Sequence, residues 1–222
     1  MTRKIVLFDL DGTLTDPAVG IVSSFRAGLE AVDIDPDDQG DLTRFIGPPL
    51  QESFASFGLD SAQVDLAIAG YRERFAAGGM FENEVYDGIP ELLGDLRSGG
   101  WELGVATSKP EKFTTLILRY FKLSDSFDQV AGATMDGSRR AKADVIAHAL
   151  SLFNLLPGPI ERPERIVMIG DRAVDVTGAQ AHRVGSIGVV WGYGSPEELM
   201  AARPDALAAE PDELRPMLSL DD

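Results

Sequence analysis

The stretch FDLDGTLTD, residues 8–16, begins at the last residue of the apolar run of residues 5–8 near the start of the chain. A continuous apolar run is typical of a strand buried in a parallel sheet. Carboxylates at the end of such a strand are costly to bury unless a cation or a hydrogen-bond donor meets them. Asp9, Asp11 and Asp16 crowd this stretch, which therefore predicts a buried strand that ends in a charged site.

Asp9 and Asp11 are two residues apart and can project to the same side at the strand end. Two adjacent carboxylates repel each other, so either one is protonated or a divalent cation lies with them. Oxygen ligands without nearby histidine or cysteine favour Mg²⁺ over zinc. Taken alone, the stretch could also be a calcium loop or a capped turn. A calcium loop of the EF-hand type would need more oxygen ligands and a closing glutamate, whereas Leu14 follows here.

The amino-acid composition argues against several classes of protein and of site. The 222 residues include 36 acidic and 20 basic side chains, for a net charge of −16, which disfavours binding to nucleic acid or to an anionic membrane surface. The absence of cysteine excludes disulfides, thiolate metal sites and cysteine nucleophiles. No apolar run approaches the roughly 20 residues that a membrane helix needs, and the N-terminus does not read as a signal peptide. We therefore expect a cytoplasmic protein.

Four later segments repeat an order of strand, polar turn and helix. This order predicts an α/β fold, with a Rossmann-like core of helices around a parallel sheet. Ligands of such sheets bind beyond the carboxyl ends of the strands, so the polar turns should share one edge. The tail, residues 201–222, shows no clear pattern. The predicted strands after the first are residues 102–106, 127–133, 165–169 and 184–190.

Residues 17–85 interrupt that order with three or four helical patterns and no convincing strand. We predict a helical cap domain here, inserted into a catalytic core formed by residues 1–16 and 86–222, and acting as a lid. Arg44, Phe45 and the rigid turn at residues 47–50 are predicted to face the active site and select the substrate. The alternative is that Arg44 is a solvated charge and that Phe45 belongs to the core of the cap.

The other turns at the same sheet edge supply groups suited to a phosphate. Thr107 and Ser108 could bind phosphate oxygens with hydroxyl and main-chain N–H groups, and the ammonium of Lys142 could reach an anion. Asp171 and Asp175 lie one helical turn apart on one face. Singly, these residues would be helix caps, a surface lysine and an exposed acid. Gathered at one edge, they predict a metal-bound phosphoryl site.

The motifs described above, in their order along the chain, resemble those of the haloacid dehalogenase-like phosphatase superfamily. The resemblance is to phosphoglycolate phosphatase-like and 5′-nucleotidase-like members with a helical cap, and it spans nearly the whole chain. Pro17 departs from it, because many phosphoglycolate phosphatases carry serine there. The motifs are Asp9-x-Asp11-Gly-Thr13, Thr107, Lys142 and Gly170-Asp171-x-x-x-Asp175, with further similar segments at residues 47–50, 106–110 and 191–194.

The resemblance implies a reaction. Asp9 would attack phosphorus to form an aspartyl-phosphate, and Asp11 would protonate the leaving oxygen and then activate water. Thr107 and Lys142 would bind the transferring phosphoryl oxygens. The expected substrate is a small phosphorylated metabolite, either phosphoglycolate-like or a nucleoside 5′-monophosphate, and the chain could be a monomer or a homodimer.

The resemblance also implies a Mg²⁺ site. Its ligands would be the Asp9 carboxylate, Asp171 and the main-chain carbonyl of Asp11. Asp175 would bind directly or through water, or would orient another group. Alternatives to a phosphatase are a phosphomutase of the same fold, a receiver-like protein phosphorylated on aspartate, and a non-catalytic interaction protein.

Overall fold

The structure, a computed structural model, describes residues 2–160 and 164–218. Its strands are β1 (Lys4–Phe8), β2 (Thr15–Asp16), β3 (Glu84–Val85), β4 (Trp101–Pro110), β5 (Gln129–Ala133), β6 (Arg165–Gly170), β7 (Gly185–Val189) and β8 (Ala206–Ala208). Its helices are α1 (Ala18–Glu30), α2 (Leu50–Ala55), α3 (Ser61–Ala77), α4 (Ile89–Ser98), α5 (Glu111–Tyr120), α6 (Lys142–Leu152), α7 (Ala173–Gln180), α8 (Pro196–Ala202) and α9 (Leu214–Met217). Among these helices, none combines the length and the apolar character required to cross a membrane.

The chain divides into two units, one made from Met1–Thr15 and Val85–Asp222 and the other from Asp16–Glu84. The chain passes between them in the two-residue strands β2 and β3, which pair with each other. The roles of these units as catalytic core and cap stay a prediction.

The first unit is built on a six-stranded sheet in the order β5-β4-β1-β6-β7-β8. All of its strand pairs are parallel, which confirms the predicted α/β fold with a parallel sheet. β1 pairs with β4 on one side and with β6 on the other, and Phe8 at its end lies opposite Val105 and Ile169. The residues that follow β1 are therefore flanked by the carboxyl ends of two neighbouring strands.

The core of this unit forms because the central strands are apolar on both faces. Residues 5–8 of β1 are fully buried, as expected for a parallel sheet covered by helices on both sides. Helix α6 packs on β4 and β5 through its apolar face. One cluster of buried residues comprises Ile5, Leu7, Ala106, Ala131, Val145, Ile146, Ala149, Leu150, Phe153, Ile166, Met168, Ala179 and Val184.

Two strands differ from the sequence-based expectation. β4 does not end at residue 106 but continues to Pro110, and its pairing with β5 shifts register between Thr107 and Pro110. The tail contributes a further strand, β8, which pairs with β7 at the edge of the sheet. β8 has only three residues, too few to show a periodic pattern, and residues 219–222 of the tail lie outside the described part of the chain.

The second unit contains α1, α2 and α3, with two short 3₁₀ turns between α1 and α2 and one after α3. Helix α3 begins at a capping box, in which the Asp60 carboxylate accepts a hydrogen bond from the main-chain N–H of Gln63. The core of this unit is aromatic, with the ring of Phe25 stacked at 4.6 Å on Phe45 and at 4.2 Å on Phe54. Phe45 is partly buried and packs on this core, and its predicted place at the active site stays a prediction.

Candidate active site

Asp9 is the first residue after β1, and two main-chain hydrogen bonds fix its position. Its N–H donates to the Ile169 carbonyl at 2.9 Å, and its carboxylate accepts from the Leu10 N–H at 2.7 Å. The chain then turns at Gly12, which has a φ of 80°. A Cβ at Gly12 would lie 2.3 Å from the Asp171 carboxylate, so only glycine allows the turn to approach this neighbour so closely.

Three carboxylates meet at this edge of the sheet. Asp9, Asp171 and Asp175 each offer an oxygen, and these oxygens all lie within 4.8 Å of one another. Asp171 follows β6, and Asp175 lies in the first turn of α7, where it accepts a hydrogen bond from the Arg172 N–H at 3.0 Å. The structure thus brings together three of the predicted metal ligands, and all three are buried.

Lys142 is the cation at the centre of this cluster. It begins α6, and its ammonium nitrogen lies 2.7 Å from Asp175 and 3.0 Å from Asp9, and donates to the Ala106 carbonyl at 3.1 Å. Burial by itself lowers the pKa of Lys142, but the two carboxylates outweigh it and the net pKa is raised. The lysine is therefore charged, and it is not the solvated surface residue that its sequence position alone would suggest.

The cluster has more negative charge than one lysine can balance. Burial, together with the charges of Asp175 and Asp9, raises the pKa of Asp171 to about 8. Burial also raises the pKa of Asp175, although Lys142 opposes that shift. The Oδ1 atom of Asp171 is buried and accepts no hydrogen bond from the residues that the structure describes. Buried carboxylate oxygens with a free coordination position fit a hard divalent cation, so these three residues could hold one.

A glycine-rich turn after β7, residues 191–194, holds Asp171 in place. The Tyr193 N–H donates to the Asp171 carboxylate at 2.7 Å, and the Trp191 indole N–H donates to the Thr13 carbonyl at 3.2 Å. A Cβ at Gly192 would lie 2.3 Å from the Gly12 carbonyl oxygen and 2.5 Å from Asp171. The sequence marks this segment only as a point of resemblance and does not predict its contact with Asp171.

Asp11 lies outside the carboxylate cluster and has its own cation. The ammonium nitrogen of Lys109 lies 2.8 Å from Asp11 Oδ2, and both side chains are largely buried. Burial raises the pKa of Asp11, and Lys109 offsets part of that rise. Lys109 falls within the similar segment at residues 106–110, but the motifs alone assign it no role. An available signal was its place beside Thr107 at the carboxyl end of a strand.

Thr107 and Ser108 belong to the extended part of β4. Thr107 is buried, and its hydroxyl accepts a hydrogen bond from the Lys109 N–H at 3.2 Å. Ser108 is partly buried. Their binding of phosphate stays a prediction.

Arg44 lies in the second unit and is exposed. Its guanidinium donates to the carbonyls of Asp41 at 2.9 Å and Gln39 at 3.2 Å, and it lies 4.6 Å from the centroid of the Phe45 ring. These contacts fix its direction within its own unit. Its role in substrate selection stays a prediction.

Comparison with known proteins identifies the family. Residues 6–189 match the family model of haloacid dehalogenase-like hydrolases, which covers the strands that carry the carboxylate cluster. The chain belongs to this family. The resemblance stated from the sequence motifs is therefore confirmed, and the protein is an enzyme of a hydrolase family with phosphatases among its relatives.

Three relatives show how the family has diversified. The chain is 44% identical to a 5′-nucleotidase of Pseudomonas aeruginosa, over 96% of this chain and 94% of that protein. It is 45% identical to the tyrosine-protein kinase PtkA of Mycobacterium tuberculosis, over 98% of this chain and 73% of that protein. The crystal structure of a predicted phosphatase from Clostridium acetobutylicum superposes with a TM-score of 0.90 at 44% identity and covers 99% of both chains.

Proposed function

We propose that this hydrolase is a magnesium-dependent phosphatase that cleaves a small phosphomonoester through an aspartyl-phosphate on Asp9. The observation that supports this most directly is the position of the Asp9 carboxylate, which belongs to the acidic cluster and contacts Lys142 at 3.0 Å. A nucleophile in such a place is fixed by its neighbours and lies next to a cation that can bind the phosphoryl oxygens.

In the first half of the reaction, a carboxylate oxygen of Asp9 attacks phosphorus, and the bond from phosphorus to the ester oxygen breaks. Asp11 gives its proton to the departing oxygen, which leaves as an alcohol. Burial raises the pKa of Asp11 even though the Lys109 ammonium opposes the shift, and this favours the protonated form that the step requires. Lys142 and the hydroxyl of Thr107 hold the phosphoryl oxygens during the transfer.

In the second half, water attacks the phosphorus of the aspartyl-phosphate. Asp11, now a carboxylate, takes a proton from that water, the bond between phosphorus and Asp9 breaks, and inorganic phosphate is released. The two halves return Asp9 and Asp11 to their starting states.

The donor set of Asp9, Asp171 and Asp175 fits Mg²⁺, because all three offer carboxylate oxygens and Asp171 has an oxygen without a hydrogen-bond partner in the described chain. When bound, Mg²⁺ would offset the negative charge of the cluster and of the phosphate. The main-chain carbonyl of Asp11 is a further proposed ligand, whereas the Asp11 side chain is held by Lys109.

The proposed substrate is a nucleoside 5′-monophosphate, with a phosphoglycolate-like ester as the second choice. Support for the nucleotide comes from the 44% identity to a protein named 5′-nucleotidase over nearly the full length of both chains. Pro17, at a position where many phosphoglycolate phosphatases carry serine, also weighs against the smaller ester.

The test is a phosphate-release screen with the full chain in Mg²⁺ or in EDTA. The panel contains nucleoside 5′-monophosphates, phosphoglycolate, sugar phosphates and pyrophosphate. We expect a nucleoside 5′-monophosphate to have the highest kcat/KM, and we expect both EDTA and the change Asp9→Asn to abolish its turnover. Turnover that survives Asp9→Asn would refute the proposed nucleophile, and isomerisation of a sugar phosphate without phosphate release would identify a phosphomutase.

Transfer of a phosphoryl group to tyrosine is a second candidate, supported by the 45% identity to a protein named tyrosine-protein kinase. It is tested by incubating the chain with radiolabelled ATP and a tyrosine-containing peptide. Label on the peptide that depends on Asp9 would favour it, whereas release of all label as inorganic phosphate would favour the phosphatase.

A further inference from the structure

Lys109 and Asp11 form an ion pair that the roles assigned above do not use. The ammonium nitrogen lies 2.8 Å from Asp11 Oδ2, and the side chains of Lys109 and Asp11 are only 6% and 14% exposed. An ion pair so far removed from water is screened much less than a surface pair, so it restrains the side chains that form it.

The main chain of β4 fixes Lys109 for this contact. The strand runs on to Pro110, with a shift of its register against β5 after Thr107, so that Lys109 lies in the strand and not in a loose turn. The hydroxyl of Thr107 accepts the Lys109 N–H at 3.2 Å, which further fixes the local backbone.

The site thus pairs its two aspartates with two different lysines. Lys142 contacts Asp9 and Asp175, which belong to the carboxylate cluster. Lys109 contacts Asp11, which follows Asp9 by two residues and does not belong to that cluster. Without a cation of its own, the Asp11 carboxylate would be a fourth acidic group free to turn toward the same cation site.

We propose that Lys109 is a positioning residue, which holds the Asp11 carboxyl apart from the cation cluster and thereby keeps it available for proton transfer to the leaving oxygen. The proton-transfer part of this inference rests on the proposed function. The effect of Lys109 on the cation site does not depend on any turnover.

The kinetic test compares an alkyl phosphate, the best nucleoside monophosphate of the screen, with p-nitrophenyl phosphate. An alkoxide needs a proton as it leaves, whereas p-nitrophenolate does not, and kcat/KM reports this first half of the reaction. In Lys109→Met we expect kcat/KM to fall about 100-fold for the alkyl ester and less than about 10-fold for the aryl ester. The inhibition constant of inorganic phosphate should change by less than about threefold, since binding of the phosphoryl group is retained.

The control is Lys112→Met, because Lys112 is an exposed lysine three residues further along, in α5. It should leave both esters unchanged. Equal losses for both esters together with weaker inhibition by phosphate would make Lys109 a phosphate-binding residue and overturn the proposal, as would unchanged kinetics. If Lys109→Met does not fold, Lys109→Gln is judged by the same ratio, where a fall of about 10-fold supports the proposal and an unchanged ratio overturns it.

The second test is titration calorimetry with Mg²⁺ alone, on the wild type, Lys109→Met, Asp11→Asn and the double variant. In the wild-type background we expect Lys109→Met to tighten Mg²⁺ binding about 10-fold. In the Asp11→Asn background we expect the same change to tighten it by less than about threefold. An equal effect in both backgrounds would show that Lys109 acts by its charge alone and would overturn the positioning role. If the wild type hydrolyses no ester, the proposed function fails on that observation, and the calorimetry still decides the role of Lys109.

Discussion

The main-chain N–H of Tyr193 donates to one oxygen of the Asp171 carboxylate at 2.7 Å, while Asp171 Oδ1 accepts no hydrogen bond within the described chain. Asp171 follows β6, whereas Tyr193 lies in the turn after β7. The orientation of a proposed metal ligand is therefore set by the backbone of another loop, and that backbone can approach only because its neighbours are glycines.

Changing Gly192 should therefore impair the cation site without removing a carboxylate. In Gly192→Ala the added Cβ would lie 2.5 Å from the Asp171 side chain, so that side chain must shift. We expect the affinity for Mg²⁺, measured by calorimetry, to fall about 10- to 100-fold. Gly94→Ala in α4 is the matched control, since its Cβ would meet no atom within 4 Å. Equal affinities in the two variants would contradict the assigned role of the turn.

The stabilisation of the fold by Mg²⁺ should depend on pH. Burial raises the pKa of Asp171 to about 8 and also raises that of Asp175, so between the ordinary pKa near 4 and about 8 the folded chain keeps protons that the unfolded chain releases. In EDTA these carboxyls therefore lower the stability as the pH rises through that window. Mg²⁺ binds the deprotonated form, so its effect on Tm should grow from about pH 6 to about pH 8.5.

Thermal unfolding followed by intrinsic fluorescence, with and without EDTA at each pH, measures this difference. Asp171→Asn serves as the comparison, and it should flatten the pH dependence of the Mg²⁺ effect. A constant Mg²⁺-induced rise in Tm across the range would show that these carboxyls do not compete with the ion for protons.

Lys142 should be essential for stability when no metal is bound. Its ammonium contacts Asp9 and Asp175 and is almost fully buried. In Lys142→Met the carboxylates lose their cation, and we expect the free energy of unfolding in EDTA to fall by about 3–5 kcal/mol. Urea unfolding measures this loss, and the exposed Lys112→Met should stay within about 0.5 kcal/mol of the wild type. A loss no larger than that of the control would mean that Lys142 is not the main counter-charge.

Arg44 should change which ester is preferred and leave the chemistry intact. Its guanidinium is exposed, yet held by the Asp41 carbonyl and the Phe45 ring, so it presents a fixed set of donors. We expect Arg44→Met to shift the ratio of kcat/KM between the best two esters of the panel by about 10-fold. Arg72→Met, which removes an exposed arginine of α3, is the control. Unchanged ratios in both variants would place the selection of substrate elsewhere.

Much of the fold follows from local sequence signals. The apolar run of β1 and the later strand, turn and helix pattern are continuous over many residues, so they predicted the parallel sheet that the structure has. Local sequence signals did not predict β8 or the extension of β4. β8 is three residues long and is stabilised by its edge pairing with β7, and the residues that extend β4 are polar and end in Pro110, which reads as a turn.

The candidate site likewise contains some residues that the sequence could place and others that it could not. Asp9, Asp171 and Asp175 could be placed together because each follows a strand of one parallel sheet or begins the next helix. The partners of Asp11 and Asp171 could not be placed. The position of Lys109 depends on an irregular strand pairing, so its contact with Asp11 cannot be read from the sequence. Tyr193 contacts Asp171 through its main-chain N–H, so the type of its side chain gives no sign of the contact.

The pairing of β2 with β3 has a consequence for how such enzymes diversify. Because Asp16 and Glu84 bound the inserted segment at two strands that pair with each other, its ends are neighbours in space. A segment anchored in this way can be exchanged during evolution for one of another length without rerouting the chain that carries Asp9. Changes in this segment can thus accumulate by grafting, while the path of the parallel sheet is left untouched.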